Sequence, residues 1–176
     1  NILQTNEIEV FRSFAEEYTF LVTDDSRLTW MANKIKDLSL SGNTLVLINR
    51  IDTGKKLIER IPEAVFVSGG MKLDERKEEY DEIKTSDGKI IVATYGVAAV
   101  GINIPRIFNL VLLEPGKSFV RVIQSIGRGI RKAEDKDHVM IWDITSACKY
   151  SKRHLTERKK YYKDAKYPFT VTKVTI

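Results

Sequence analysis

The chain has 176 residues, 43% of them hydrophobic and 30% charged, with a formal net charge of +5. That length suits one well-cored domain and is short for two. No apolar run approaches the ~20 residues that a membrane helix needs. The single cysteine, Cys148, excludes an intrachain disulfide and any multi-cysteine metal site, and such usage fits a reducing cytoplasm. The two histidines, His138 and His154, stand far apart, so zinc catalysis is a poor fit. The first residues, Asn1-Ile2-Leu3-Gln4-Thr5, lack the basic and long apolar segments of a signal peptide, and the missing initiator methionine points to a piece of a longer chain.

Residues 1–23 fit no strong period and read as an interdomain connection or N-terminal extension. From 24 to 40 the sequence predicts an amphipathic helix, with Leu28, Met31, Ile35 and Leu38 at helical spacing and Asp24, Asp25 or Ser26 available as cap. Thr44 to Ile48 is a continuous apolar run, as a strand buried on both faces requires. A helix is expected over 53–60, a strand over 64–67, a charged helix over 73–84 and a strand over 89–93. The segment 95–100 reads as a short helix or loop. Strands at 110–113 and 139–142 flank a helix at 118–126. Strands alternating with helices at short intervals predict an α/β domain with a mostly parallel, helix-covered sheet over 24–148.

The remainder, 149–176, is a basic helix and a tail ending in the alternating segment 169–174. Between Lys149 and Lys166 stand eight Lys or Arg against Glu157 and Asp164, so this stretch alone exceeds the whole surplus of charge. A solvated charged face and a phosphate-binding face explain it equally well. Tyr150, Tyr161, Tyr162 and Tyr167 could stack on bases, but at helical spacing they fit core or interface better. Trp30 and Trp142 have apolar settings and fit a core.

In an open parallel sheet, ligands gather at the carboxyl ends of the strands. The candidates there are Asn49 and Arg50, then Ser68-Gly69-Gly70, then the stretch from Thr94 to Pro105, then Glu114-Pro115-Gly116, and lastly Asp143. Gly42, Gly88 and Gly116 read as turn residues instead. The segment Gly127-Arg128-Gly129-Ile130-Arg131-Lys132 places three cations among glycines. Arginine forks suit phosphate oxygens, and in phosphoryl transfer such arginines are worth ~10³–10⁵ in rate. A surface basic loop is the plainer reading of the same residues.

These residues resemble a known family. Gln124-Ser125-Ile126-Gly127-Arg128-Gly129-Ile130-Arg131 is similar to motif VI of superfamily 2 helicases, written Q/H-R-x-G-R-x-x-R. Ile91-Val92-Ala93-Thr94 through Gly101-Ile102-Asn103-Ile104-Pro105 resembles motif V. Leu45-Val46-Leu47-Ile48-Asn49 stands where motif IV belongs, and Ser68-Gly69-Gly70 with Glu75-Arg76 resembles motif IVa. Order and spacing agree over roughly residues 24–145, and the wording of motifs V and VI is most similar to phage recombination helicases. The resemblance implies a RecA-like fold of the P-loop NTPase type, as the second, C-terminal helicase lobe without its own P-loop. It implies that Arg131 is an arginine finger, that Arg128 meets the γ-phosphate or couples to the acidic motif II, and that Gln124 positions the attacking water or the finger. Gly101 and Asn103 would line the nucleotide cleft. Thr94, Gly69 and Gly70 would hold DNA phosphates, with Asn49, Arg50 and Ser68 on the same track. Two positions depart from the pattern: Ser125 replaces an arginine, and Asn103 an aspartate.

No G-x-x-x-x-G-K-S/T or D-E-x-H/D motif is present. Thr53-Gly54-Lys55-Lys56 lacks the first glycine and the magnesium-binding hydroxyl, and reads as a helix N-terminus. ATP and magnesium would therefore be held mainly by an N-terminal lobe of the same parent chain, and the piece alone would not turn over ATP. The expected function is the C-terminal lobe of an ATP-dependent DNA helicase acting on branched or single-stranded DNA in recombination and repair, in the cytoplasm. The alternatives are a non-hydrolytic DNA-binding module, a duplex translocase and an RNA helicase lobe.

Overall fold

The computed structural model describes residues 1–67, 88–99, 104–105, 107–116, 119, 123–124, 130–131 and 139–176, with 99, 104–105 and 130–131 described by backbone alone. Ser68, Gly69, Gly70, Gly101, Asn103 and Arg128 lie outside the described residues, as does the helix expected over 73–84.

The strands are β1 (Ile2–Thr5), β2 (Thr44–Ile48), β3 (Val65–Val67), β4 (Ile90–Thr94), β5 (Ile104–Pro105), β6 (Asn109–Leu113), β7 (Ile130–Arg131), β8 (Met140–Ser146) and β9 (Val171–Val174). The helices are α1 (Phe14–Thr23), α2 (Asp25–Ser39), α3 (Ile51–Arg60), α4 (Tyr95–Ala99) and α5 (Lys149–Asp164). Seven strands form one sheet in the order β3-β4-β2-β6-β8-β1-β9, while β5 and β7 pair separately. Every pairing among the described strands is parallel. This is the parallel α/β sheet that the alternation of apolar runs and helical periods predicts, in keeping with the RecA-like fold that the resemblance implies.

Side chains alternate across the strands and build two cores. Val46, Ile48, Val92 and Val111 face Leu28, Met31, Ile35 and Leu38 of α2 and Leu57 of α3. Leu45, Leu47, Ile91 and Leu112 face Val97 and Ala98 of α4 and Leu155 and Tyr162 of α5. All five side chains of β2 are buried, so this central strand supplies both layers. Asp24 starts α2 by accepting a hydrogen bond from the Arg27 amide at 3.0 Å. Trp30 and Trp142 are partly buried at the margin of the α2 face.

Gly54 lies inside α3, where an added Cβ would sit 2.7 Å from Ile48 and clash with the Phe66 ring. It is a close-packing glycine, and the Thr53-Gly54-Lys55-Lys56 segment is helix rather than a phosphate-binding loop. Gly88 turns the chain into β4 at φ +77°, a conformation that glycine adopts without strain.

Residues 14–23, assigned to no element from the sequence, form α1, and three further segments differ from the sequence expectation. β1 enters the sheet between β8 and β9, pairing Ile2 with Asp143 and with Val171. β9 itself is an exposed edge strand. β8 runs on to Ser146, so Asp143 is a mid-strand residue and not a group at the ligand-binding end. No helix among the described residues is long and apolar enough to cross a membrane.

Candidate nucleotide and nucleic-acid interface

The loops at the carboxyl ends of β2, β4 and β6 bring several candidate residues to one edge. Asn49 is exposed, and its amide nitrogen donates to the Glu114 carbonyl at 3.5 Å, linking the ends of β2 and β6. Arg50 follows as the cap residue of α3. Its guanidinium donates to the Thr19 hydroxyl at 3.0 Å and lies 5.1 Å from the centre of the Tyr18 ring. Burial pushes the Tyr18 phenol up to about 12 against the opposing Asn49 and Arg50 contacts, so Tyr18 stays neutral. At the end of β4, the Thr94 hydroxyl accepts from the Val97 amide at 3.2 Å. It thereby caps α4 and keeps its O–H available to donate.

Beneath this edge lie buried charges. Arg27 is fully buried and meets Glu7 at 3.1 Å, Glu114 and the Thr5 hydroxyl, tying α2 to the ends of β1 and β6. Burial lifts the Glu114 carboxyl to about 7, although the Arg27 and Arg158 guanidiniums oppose the rise. Arg158 is 1% exposed. It grips Asp143 through two bonds of 2.7 and 3.0 Å and donates to the Pro115 carbonyl at 2.9 Å. The Tyr162 hydroxyl adds a third bond to Asp143 at 2.7 Å. Arg158, counted in the sequence among the cations of a solvated or phosphate-binding face, is therefore a core residue, and Tyr162 takes the core place that its helical spacing favoured over base stacking. Burial and the adjacent Asp143 carboxylate push the Tyr162 phenol far up.

Glu17 of α1 closes the N-terminus of α5. Its carboxylate accepts from the Tyr150 and Ser151 amides at 2.9 and 2.8 Å, which the Cys148 side chain at the cap position does not do. Cys148 is buried, and burial raises its thiol pKa, so it has no reactive character.

The motif V and motif VI segments are brought together by their backbones. β5 and β7 pair in register Ile104 with Ile130 and Pro105 with Arg131. Asn103 directly precedes the first of these strands, and Arg128 stands two positions before the second. Gln124 is helical with an exposed side chain. Among the described residues no group of three or more His, Cys, Asp or Glu could hold a metal ion.

A cleft of about 650 Å³ opens beside Asn49 and Arg50, lined also by Phe14 and Tyr18 of α1, Gly116, and Tyr150, Arg153 and His154 of α5. Sequence reasoning picked out Tyr150 but passed over Phe14, because nothing local links α1 to the first turn of α5. The only sequence signal was an aromatic cluster, Phe11, Phe14, Tyr18 and Phe20, within the unassigned first 23 residues.

The fold, the order of the motif segments in the chain and the pairing of β5 with β7 define a helicase C-terminal lobe. Residues 29–133 match the family model of the helicase conserved C-terminal domain, and the chain belongs to that family, as a superfamily 2 member. It is 28% identical over 155 residues to the ATP-dependent DNA helicase uvsW of Enterobacteria phage T4, covering 85% of this chain and 31% of that protein. It is 36% identical over 116 residues to a protein named as a helicase from Sulfolobus islandicus filamentous virus, covering 64% of this chain and 20% of that protein. The crystal structure of T4 UvsW has the same fold, with a TM-score of 0.81 at 23% identity over 98% of this chain and 42% of that one. The chain thus spans about a third or less of the length of the curated relatives it matches.

Proposed function

We propose that this chain is the C-terminal lobe of an ATP-dependent DNA helicase or translocase that unwinds branched DNA and moves branch points. In this reading it supplies the arginine finger and part of the DNA track. The observation that carries the reading is the β5–β7 pairing, which sets Pro105 of motif V in register with Arg131 of motif VI. Two segments far apart in sequence thereby act as one unit within a helicase family domain.

ATP and magnesium are held mainly by an N-terminal lobe, and phosphoryl transfer is the chemistry that the nucleotide supplies. This lobe contributes Arg131 as the finger toward the γ-phosphate, Arg128 as a second phosphate contact and Gln124 to position the water. Gly101 and Asn103 line the nucleotide side. On the other side, Asn49, Arg50, Ser68, Gly69, Gly70 and Thr94 meet backbone phosphates without reading sequence. In support, Asn49, Arg50 and Thr94 share the carboxyl edge of the sheet, and the uncommitted Thr94 O–H can donate to a phosphate oxygen.

DNA-stimulated ATP hydrolysis by the full parent protein tests this. Arg131→Ala is expected to lower turnover by ~10³-fold or more while nucleotide and DNA still bind. Unchanged hydrolysis, or a parent protein with none, would leave a DNA-binding module that uses no ATP.

A further inference from the structure

The cleft between α1 and α5 lies outside the helicase-matched residues except for Asn49, Arg50 and Gly116. Its rings touch one another. Phe14 lies 4.9 Å from the His154 ring, 5.8 Å from Tyr18 and 6.1 Å from Tyr150, centre to centre. Packing explains Tyr18, which is 8% exposed, but Phe14 remains 43% exposed at the cleft. Two guanidiniums flank the rings, with Arg50 over Tyr18 at 5.1 Å and Arg153 over Tyr150 at 5.5 Å.

The cleft lining contains no carboxylate among the described residues. Two acids line the small pocket that shares Phe14, Tyr18, Gly116 and His154 with the cleft, and both are already committed, Glu17 to the N-terminus of α5 and Glu114 to Arg27. An opening with aromatic faces, a cationic rim and no acid at its surface is complementary to an unstacked base joined to a phosphate. A paired duplex does not offer such a base. The volume, about 650 Å³, lies in the range of small-ligand sites and suits one splayed nucleotide.

We infer that this cleft is a single-stranded DNA subsite, in which Phe14 and Tyr150 stack on one base while Arg50 and Arg153 hold its phosphates. The inference rests on the proposed DNA track, which includes Asn49 and Arg50, and extends it onto two helices beyond the helicase motifs. It makes α1 and the first turn of α5 part of the grip on a single strand.

Fluorescence anisotropy on the full protein tests it, using a labelled dT oligomer and a strand of the same length with abasic sites. Phe14→Ala should weaken dT binding roughly tenfold and leave the abasic strand unaffected, because stacking needs a base. Phe14→Trp should restore dT binding, which separates stacking from a loss of fold. Arg153→Ala should weaken both strands and lower the slope of log affinity against log salt by about 0.7. Photocross-linking of a 5-iodouracil strand to the wild type should map to Phe14, Tyr150 or His154. If Phe14→Ala affects both strands equally or neither, or if cross-links fall only elsewhere, the subsite is overturned while the edge track stands. If the wild type binds no strand at all, both fail.

Discussion

Strands β3, β4, β2 and β6 bury nearly pure hydrocarbon, whereas β8 and β1 beside them bury hydroxyls and a carboxylate. In the first group only the strand-opening residues Thr44 and Asn109 are buried and polar. They sit at the amino edge, where the Asn109 amide donates to the Leu38 carbonyl at 2.9 Å. In the second group Thr5, Asp143, Thr145 and Ser146 are all at or below 1% exposure. Beyond the backbone ladder, the side chains of the first group contribute mainly by burial, at roughly 1.5–3 kcal/mol per large side chain. The second depends on specific partners: Arg158 and Tyr162 of α5 for Asp143, Ser151 of α5 for Ser146, and Arg27 of α2 for Thr5.

The sharpest way to break this comparison is to remove one such partner. Arg158→Met leaves Asp143 buried with Tyr162 as its remaining side-chain donor. Breaking a buried pair on one side costs about 3–5 kcal/mol, whereas replacing both members is often close to neutral. Urea unfolding should therefore show a loss of that size for Arg158→Met, with most of it recovered when Asp143→Asn is added. Equal losses for the single and double variants would mean that Arg158 acts through packing alone.

The same contrast explains what was legible in the sequence. The run from Leu45 to Ile48 reads as a buried strand without any knowledge of its surroundings, and it is one. The motif order likewise pointed to the family that residues 29–133 match. Asp143 was misplaced because β8 continues through polar residues, Asp143, Thr145 and Ser146, that look like the end of an apolar run. Arg158 was counted as a surface cation. Yet Ser151, Leu155, Arg158 and Tyr162 fall at spacings of four, three and four, the inward stripe of a helix, and all four are buried. That signal was in the sequence and was outweighed by the count of charges. The α1–α5 cleft had no such signal, since Phe14 and His154 are 140 positions apart and meet only in the folded chain.

A smaller effect should appear with pH. Burial raises Glu114 to about 7 from an ordinary 4.5. A carboxyl with a higher value in the folded state binds its proton more tightly there. Its contribution to stability is therefore fully present below about 4.5 and is lost as pH rises through about 7. Between these limits the protein should lose stability on the order of 1–3 kcal/mol. Glu114→Gln, which keeps the shape and cannot ionise, should flatten that slope in urea midpoints measured from pH 5 to 8. A slope that persists unchanged in the variant would assign it to another group and leave Glu114 ionised against Arg27 throughout.

The smallest effect, and the one of opposite sign, concerns Thr145. Its hydroxyl is buried in β8 and makes no hydrogen bond among the described residues, unlike those of its neighbours Thr5 and Ser146. A buried hydroxyl without a partner carries its full desolvation cost, and valine has nearly the same shape with a methyl in its place. Valine also suits a strand at least as well as threonine. Thr145→Val should therefore be neutral or stabilising by up to about 1 kcal/mol, read as an unchanged or raised urea midpoint with the same slope. Thr5→Val is the matched control. The Thr5 hydroxyl donates to the Thr145 carbonyl at 3.0 Å and accepts from Arg27, so its loss should destabilise. If both substitutions destabilise alike, Thr145 has a polar partner after all. The polar half of the sheet would then be as fully satisfied as the apolar half is fully packed.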